Sequence, residues 1–128
     1  MKKTLFFLFI ASCLVSSNAK TDSGWTLVST SIKADNYYVD FQRIRINSGN
    51  KFFWYLIDYK EVDQFGDRSV ITYSKVECAS LKYKWLDNKY YALGMGEGKL
   101  NAHDPEESPW KYPVRKSVME KVLNKVCD

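Results

Sequence analysis

The sequence predicts an α+β fold, mainly β: an antiparallel sheet of about six strands with one C-terminal helix packed on it. Three observations support this prediction. Short runs of β-branched and aromatic residues alternate with turn signals along most of the chain. Aromatic residues make up 16% of the sequence, which suits a small domain that must bury much area with few side chains. An amphipathic segment with a capping box ends the chain.

Residues 1–19 are a predicted secretory signal peptide. Two lysines precede an apolar run from Leu5 to Val15, and small residues lead up to Ala19, where a signal peptidase would cut. The run is shorter than the roughly 20 residues that span a bilayer. A lipid anchor at Cys13, which also follows small residues, is the alternative. We therefore expect residues 20–128 to form one exported domain, in the periplasm, at the outer-membrane surface or secreted.

The strands are predicted from turn signals and from the spacing of apolar residues. Six runs qualify: 25–31, 36–46, 51–59, 68–78, 81–85 and 90–93. The second run changes parity, which implies a β-bulge near Gln42 and Arg43. Residues 47–50 predict a hairpin turn before the third run, and residues 87–89 predict a turn before the sixth. The third run is apolar on both faces, so it should be central and buried on both sides, within the monomer or by a partner.

The helix is predicted to begin at Ser117 and to cover one face of the sheet. Ser117 and Glu120 form an S-x-x-E capping box, and the apolar residues that follow lie on one helical face. Outside the signal peptide only Cys78 and Cys127 remain. In an exported chain they are most simply interpreted as one disulfide that links the helix end to the fourth strand, and two free buried thiols are the alternative.

The sequence shows no convincing catalytic, cofactor or metal site. His103 is the only histidine, and no serine lies in a G-x-S-x-G elbow. The glycines at 94–98 lack the helix that follows a phosphate-binding loop, and residues 101–107 lack the fixed spacing of a Ca²⁺ loop. Without Lys2 and Lys3 of the signal peptide the net charge falls from +4 to +2, and the remaining lysines are interleaved with acids, which argues against a nucleic-acid partner. We therefore predict a protein that is not an enzyme and needs no cofactor.

Four cations form the candidate partner-binding surface: Arg43, Arg45, Lys82 and Lys84. Arg43 and Arg45 alternate with isoleucines, and Lys82 and Lys84 alternate with leucine, tyrosine and tryptophan. If the apolar neighbours face the core, all four cations face outward. Arginine, tyrosine and tryptophan are enriched at protein-recognition surfaces. The alternative is that these charges only solubilise the sheet.

A set of spaced anchor residues extends over nearly the whole exported part of the chain. They are Trp25, Tyr38, Val39, Asp40, Trp54, Leu56, Asp58, Tyr59, Ser69, Cys78, Gly94, Gly96, Trp110, Pro113, Ser117 and Cys127. This set resembles the surface-adhesin protein E family of small exported Gram-negative bacterial proteins. The resemblance implies an antiparallel sheet, a C-terminal helix and a disulfide between them. For the member that names the family, it also implies attachment to host extracellular-matrix and plasma proteins.

Together these observations predict a secreted or cell-surface, non-catalytic, adhesin-like protein. Its expected partners are host extracellular-matrix or plasma proteins, and a homodimer is left open. The alternative function is that of a periplasmic structural or accessory protein of unknown ligand. The two differ in location and in whether a host protein is ever met.

Overall fold

The computed structural model describes residues 24–128, so the predicted signal peptide, its cleavage position and Cys13 lie outside the described residues. This part of the chain forms one antiparallel sheet and one α-helix, which confirms the predicted fold class. The strands are β1 (Thr26–Thr30), β2 (Asn36–Val39), β3 (Arg45–Asn47), β4 (Asn50–Asp58), β5 (Ser69–Glu77), β6 (Lys82–Tyr91) and β7 (Leu100–Asp104), and the helix is α1 (Val118–Val126). No helix within residues 24–128 is long and apolar enough to cross a membrane.

The strand order is β1-β2-β4-β5-β6-β7, and β3 pairs with β4 beyond the end of β2. β4 and β5 pair along their full lengths, from Asn50 opposite Glu77 to Asp58 opposite Ser69. Strands β1 and β7 form the two edges of the sheet. The hairpin between β3 and β4 turns at Ser48 and Gly49, both of which have positive φ, as the sequence predicts.

The main core lies between α1 and one face of the sheet, which we call the helix face. Val122 and Leu123 of α1 are fully buried against a cluster that includes Val39 and Phe53. The predicted cap is present, because the Ser117 hydroxyl accepts the Glu120 N–H at 3.2 Å. Burial of this apolar stripe holds a helix that would be too short to be stable alone in water.

The predicted disulfide between Cys78 and Cys127 is confirmed, with the two Cα atoms 5.6 Å apart. Cys78 directly follows β5, and Cys127 is the C-cap of α1. The Lys51 ammonium also donates to the carbonyl of Val126 at 3.0 Å. A covalent bond and a charged hydrogen bond therefore fix the end of the helix to the sheet.

The opposite face of β4 is covered by the turn Gly94–Gly96. The backbone of Gly96 packs so closely on Ile71 and Leu56 that a Cβ there would lie 2.5 Å from Ile71 Cδ1. Polar contacts hold the turn: the Ser69 hydroxyl donates to Leu93 O at 2.6 Å, and it accepts the N–H of Gly96 at 2.8 Å. These glycines therefore serve close packing, and Leu56 is buried on the face opposite α1.

The predicted turn at 87–89 is wrong, because β6 continues through these residues. Tyr73 pairs with Asp87 and Ser74 pairs with Trp85, so Leu86 is the extra residue of a β-bulge. Asn88 is buried, and its Oδ1 accepts a hydrogen bond from the Thr72 hydroxyl at 2.7 Å. This contact across the sheet outweighs the local turn preference of the sequence.

The parity change at 42–43 comes from a 3-10 turn (Phe41–Arg43), whereas the sequence predicts a β-bulge there. Asp40 caps this turn by accepting the Gln42 N–H at 3.1 Å. Ile44 then packs on the core, but Ile46 is 73% exposed. The expectation that both isoleucines face the core is therefore half right, because the short strand β3 pairs only with β4 at the margin of the sheet.

Candidate functional site

The sheet face opposite α1 carries the predicted cations. Residues directly opposite each other in an antiparallel ladder point to the same side. The registers align Arg45 with Phe52, Phe52 with Lys75, and Lys75 with Lys84, so these four form one row across four strands. We call this side, with its aromatic and basic residues, the cation–aromatic face.

Aromatic rings from β4 and β5 form the centre of the cation–aromatic face. The rings of Trp54 and Tyr73 stack with centroids 4.6 Å apart. The guanidinium of Arg43 lies 5.3 Å from the Trp54 centroid and 5.7 Å from the Trp25 centroid, within cation–π range. The buried Asp40 accepts the Arg43 Nε–H at 2.5 Å and so orients the guanidinium. Arg43 is thus held near both indole rings, with half of its side chain exposed.

Trp110 lies among three lysine ammonium groups at the other end of the cation–aromatic face. Its ring centroid is 5.2 Å from Lys75 Nζ, 4.7 Å from Lys82 Nζ and 4.6 Å from Lys84 Nζ. The segment that carries Trp110 pairs with β6 through its backbone: Tyr83 and Lys111 exchange hydrogen bonds of 2.9 and 2.7 Å. The ring therefore lies near three cations drawn from two strands.

Carboxylates offset only part of this positive charge. Glu107 pairs with Lys84 at 2.8 Å, Glu77 pairs with Lys82 at 3.3 Å, and Asp40 pairs with Arg43. The hydrogen bond from Lys84, followed by its charge, lowers the pKa of Glu107. Within residues 24–128, neither Arg45 nor Lys75 has a carboxylate partner within 4.0 Å. Arg45 and Lys75 are therefore the cations best placed to meet an acidic partner.

The four predicted cations all lie on the cation–aromatic face, but they differ in how exposed they are. Arg43 and Arg45 are exposed, whereas the Lys84 side chain is only 14% exposed. Sequence reasoning missed Lys75 and Trp110. Lys75 lies two residues after Tyr73 and therefore shares its face of β5, which the sequence could have indicated. No local sequence pattern places Trp110 against these lysines.

A groove of about 420 Å³ lies beside the 3-10 turn on this face. Two arginines and two aromatic rings dominate its lining, which consists of Gln42, Arg43, Ile44, Arg45, Trp54 and Tyr73. Guanidinium groups beside aromatic rings are typical of protein-recognition hot spots. The arrangement can pair with carboxylates and stack on apolar groups of a partner.

His103 pairs with Asp87 at 2.6 Å, on exposed parts of β7 and β6. In the described part of the chain, no three His, Cys, Asp or Glu residues are grouped so that they could hold a metal ion. The turn at Gly94–Gly96 precedes a strand rather than a helix, so it lacks the geometry of a phosphate-binding loop.

Comparison with known protein families gives one match: the family described as surface-adhesin protein E matches residues 25–128. Three solved structures of Haemophilus influenzae protein E share the fold. One has a TM-score of 0.59 at 15% identity and covers 82% of this chain and 84% of that chain. The selenomethionine form has a TM-score of 0.61 at 16% identity and covers 82% and 86%. The protein from a non-typeable strain has a TM-score of 0.59 at 14% identity and covers 85% and 78%. A search of curated proteins gave no significant match.

Proposed function

Since this chain belongs to the surface-adhesin protein E family, we propose that it is an exported, non-catalytic adhesin that binds host extracellular-matrix or plasma proteins. The cation–aromatic face is the binding surface. The observation that carries the proposal is the row of Arg45, Phe52, Lys75 and Lys84, in which two cations have no carboxylate partner within residues 24–128.

The shape of the face suits a protein partner. Its row of residues extends over four strands, from Arg45 of β3 to Lys84 of β6, whereas a small ligand usually binds within a single cleft. Aromatic rings and arginine provide rigid contact area and bidentate hydrogen bonds, which is why they dominate binding energy at many interfaces. An acidic patch on the partner would form ion pairs with Arg45 and Lys75.

The sharpest test removes only the two unpaired cations. Replacing Arg43 would leave the buried Asp40 carboxylate without its cation, so a loss of binding could reflect a loss of stability. The double variant Arg45→Ser with Lys75→Ser avoids this problem. The matched control, Lys121→Ser with Lys125→Ser, removes the same charge from exposed positions of α1 on the opposite side of the sheet.

Surface plasmon resonance would measure capture of the protein, purified after export, by immobilised matrix and plasma proteins. We expect the Arg45 and Lys75 variant to bind roughly three- to tenfold more weakly at low ionic strength, because exposed pairs contribute a few tenths to one kcal/mol each. The difference should shrink as salt is raised. The control should bind like the wild type, and circular dichroism should show that both variants are folded.

Two outcomes would contradict the proposal. An equal loss in both variants would mean that binding follows net charge and not this face. No binding by the wild type to any host protein would favour the periplasmic accessory role. The fourfold variant of Arg43, Arg45, Lys82 and Lys84 to serine extends the test to the whole predicted surface, provided that it folds.

A further inference from the structure

A second concave region lies on the helix face, at an end of the sheet that α1 leaves uncovered. It has a volume of about 480 Å³ and is lined by Asp63, Phe65, Asp67, Tyr90, Asn101 and Ala102. Tyr90 and Ala102 pair directly across β6 and β7, and Tyr90 also pairs with Val70 of β5. We call this region the carboxylate–aromatic cleft.

Hydrogen bonds within the loop that follows β4 hold the cleft open. One Asp63 carboxylate oxygen accepts the N–H of Phe65 at 2.8 Å and the N–H of Asp67 at 2.9 Å. The Asp63 N–H donates to Asp67 O at 2.9 Å. The closed loop leaves the Phe65 ring 74% exposed at the rim. The Phe65 ring is therefore held at the rim of the cleft, where it is accessible.

The Asp67 carboxylate is the most unusual group in the cleft. The residue is only 4% exposed, and its Oδ1 accepts a hydrogen bond from Asn101 Nδ2 at 2.9 Å. Among residues 24–128, no cation lies within 4.0 Å of Asp67, of Asp63 or of the nearby Asp104. Asp67 therefore keeps its hydrogen bond to Asn101 and adds negative charge beside the cleft without a neighbouring counter-charge.

Burial and the same negative charge raise the pKa values of two tyrosines around the cleft. Burial raises the pKa of Tyr90, and the charges of Asp104, Asp67 and Asp63 raise it further. Burial, then the charges of neighbours including Tyr90 and Asp63, raises the pKa of Tyr59 to about 12. The cleft thus combines negative charge with aromatic faces, and each of these favours a cation.

We propose that the carboxylate–aromatic cleft binds a basic side chain, an arginine or lysine, of a partner protein. The Phe65 and Tyr90 rings supply cation–π contact, and Asp67 and Asp63 supply the opposite charge. A guanidinium fits best, because its planar group both stacks on rings and donates to carboxylates. This site is separate from the cation–aromatic face, which would meet an acidic surface.

The test is an NMR titration of the ¹⁵N-labelled protein, purified after export, with N-acetyl-arginine amide. The neutral citrulline counterpart, which has the same shape but no charge, is the control ligand. We expect saturable amide shifts confined to residues 63–67, 90 and 101–102. Phe65→Ala and Asp67→Asn should each weaken binding by about threefold or more, since a single cation–π or charge contact of this kind contributes about that much. Tyr112→Ala, at another exposed ring, should leave binding unchanged.

Three results would overturn the inference: equal shifts with citrulline, shifts at carboxylates all over the surface, or no effect of Phe65→Ala. Binding of tetramethylammonium without binding of the arginine probe would identify a small-ammonium site and would also overturn it. Phe65 is exposed, so its variant remains informative even if Asp67→Asn fails to fold. The readout is independent of host-protein capture, so a failure here leaves the proposed adhesin function standing.

Discussion

Replacing Gly96 by alanine tests how tightly the turn Gly94–Gly96 closes on the sheet. Gly96 has a φ of +70°, and an added Cβ would lie 2.5 Å from Ile71 Cδ1 and 3.6 Å from Leu56 Cδ1. Placing alanine in the left-handed region costs about 1–2 kcal/mol. The nearest atom is the tip of the half-buried Ile71 side chain, which can turn aside, so its displacement adds about 1 kcal/mol, the low end of the cost of overpacking. We therefore expect Gly96→Ala to lower the free energy of unfolding by about 2–3 kcal/mol, the sum of these costs.

Gly49→Ala is the matched control for this substitution. Gly49 has a similar φ of +79°, but no atom lies within 4 Å of the position that a Cβ would occupy. Its replacement should lower the free energy of unfolding only by the cost of placing alanine in the left-handed region, about 1–2 kcal/mol. Thermal unfolding followed by circular dichroism should separate the two variants by several degrees, since 1 kcal/mol shifts the Tm of a domain of this size by about 4–8 °C. Equal losses would refute the close packing of Gly96 on Ile71.

The disulfide and the ion pair beneath Trp110 give two further predictions. The double variant Cys78→Ala with Cys127→Ala should lose about 4 kcal/mol in urea unfolding, because the bond closes a loop with a sequence separation of 49. An unchanged urea midpoint would contradict this. The carboxyl pKa of Glu107, followed by NMR, should lie below its ordinary value and return toward it in Lys84→Met. Because the folded pKa is the lower one, the stabilisation is present at neutral pH and is lost as the pH falls through it. An unaltered Glu107 pKa in the variant would assign the shift to another group.

Most of the fold could be predicted from local signals. β4 and β5 are well predicted because long runs of β-branched and aromatic residues have few alternatives to strands. The helix is predicted because Ser117, Glu120 and the apolar stripe agree with one another. The signal peptide, and residues 20–128 as the single exported domain, remain predictions.

The rest depends on contacts between residues distant in sequence. Asn88 favours a turn by composition, but the hydrogen bond from Thr72 keeps it within β6. Trp110 lies 26 residues or more from the lysines 75, 82 and 84 around it. Hydrogen bonds of its neighbours, Ser108 with Trp85 and Lys111 with Tyr83, bring the ring there. The candidate surface is therefore only partly predictable: Trp54, Tyr73 and most of the cations follow strand parity, but Trp110 comes from a segment outside the named strands.

The alternation of side chains along β4 divides this strand between the core and the surface. Phe53 and Tyr55 point into the core beneath α1, whereas Phe52 and Trp54 point to the cation–aromatic face. Along residues 52–55, alternate side chains thus serve the core, and their neighbours form part of the surface. Substitutions at the outward positions can therefore change the surface while the core packing stays the same. Divergence of this kind would leave relatives with similar backbones and few identical residues.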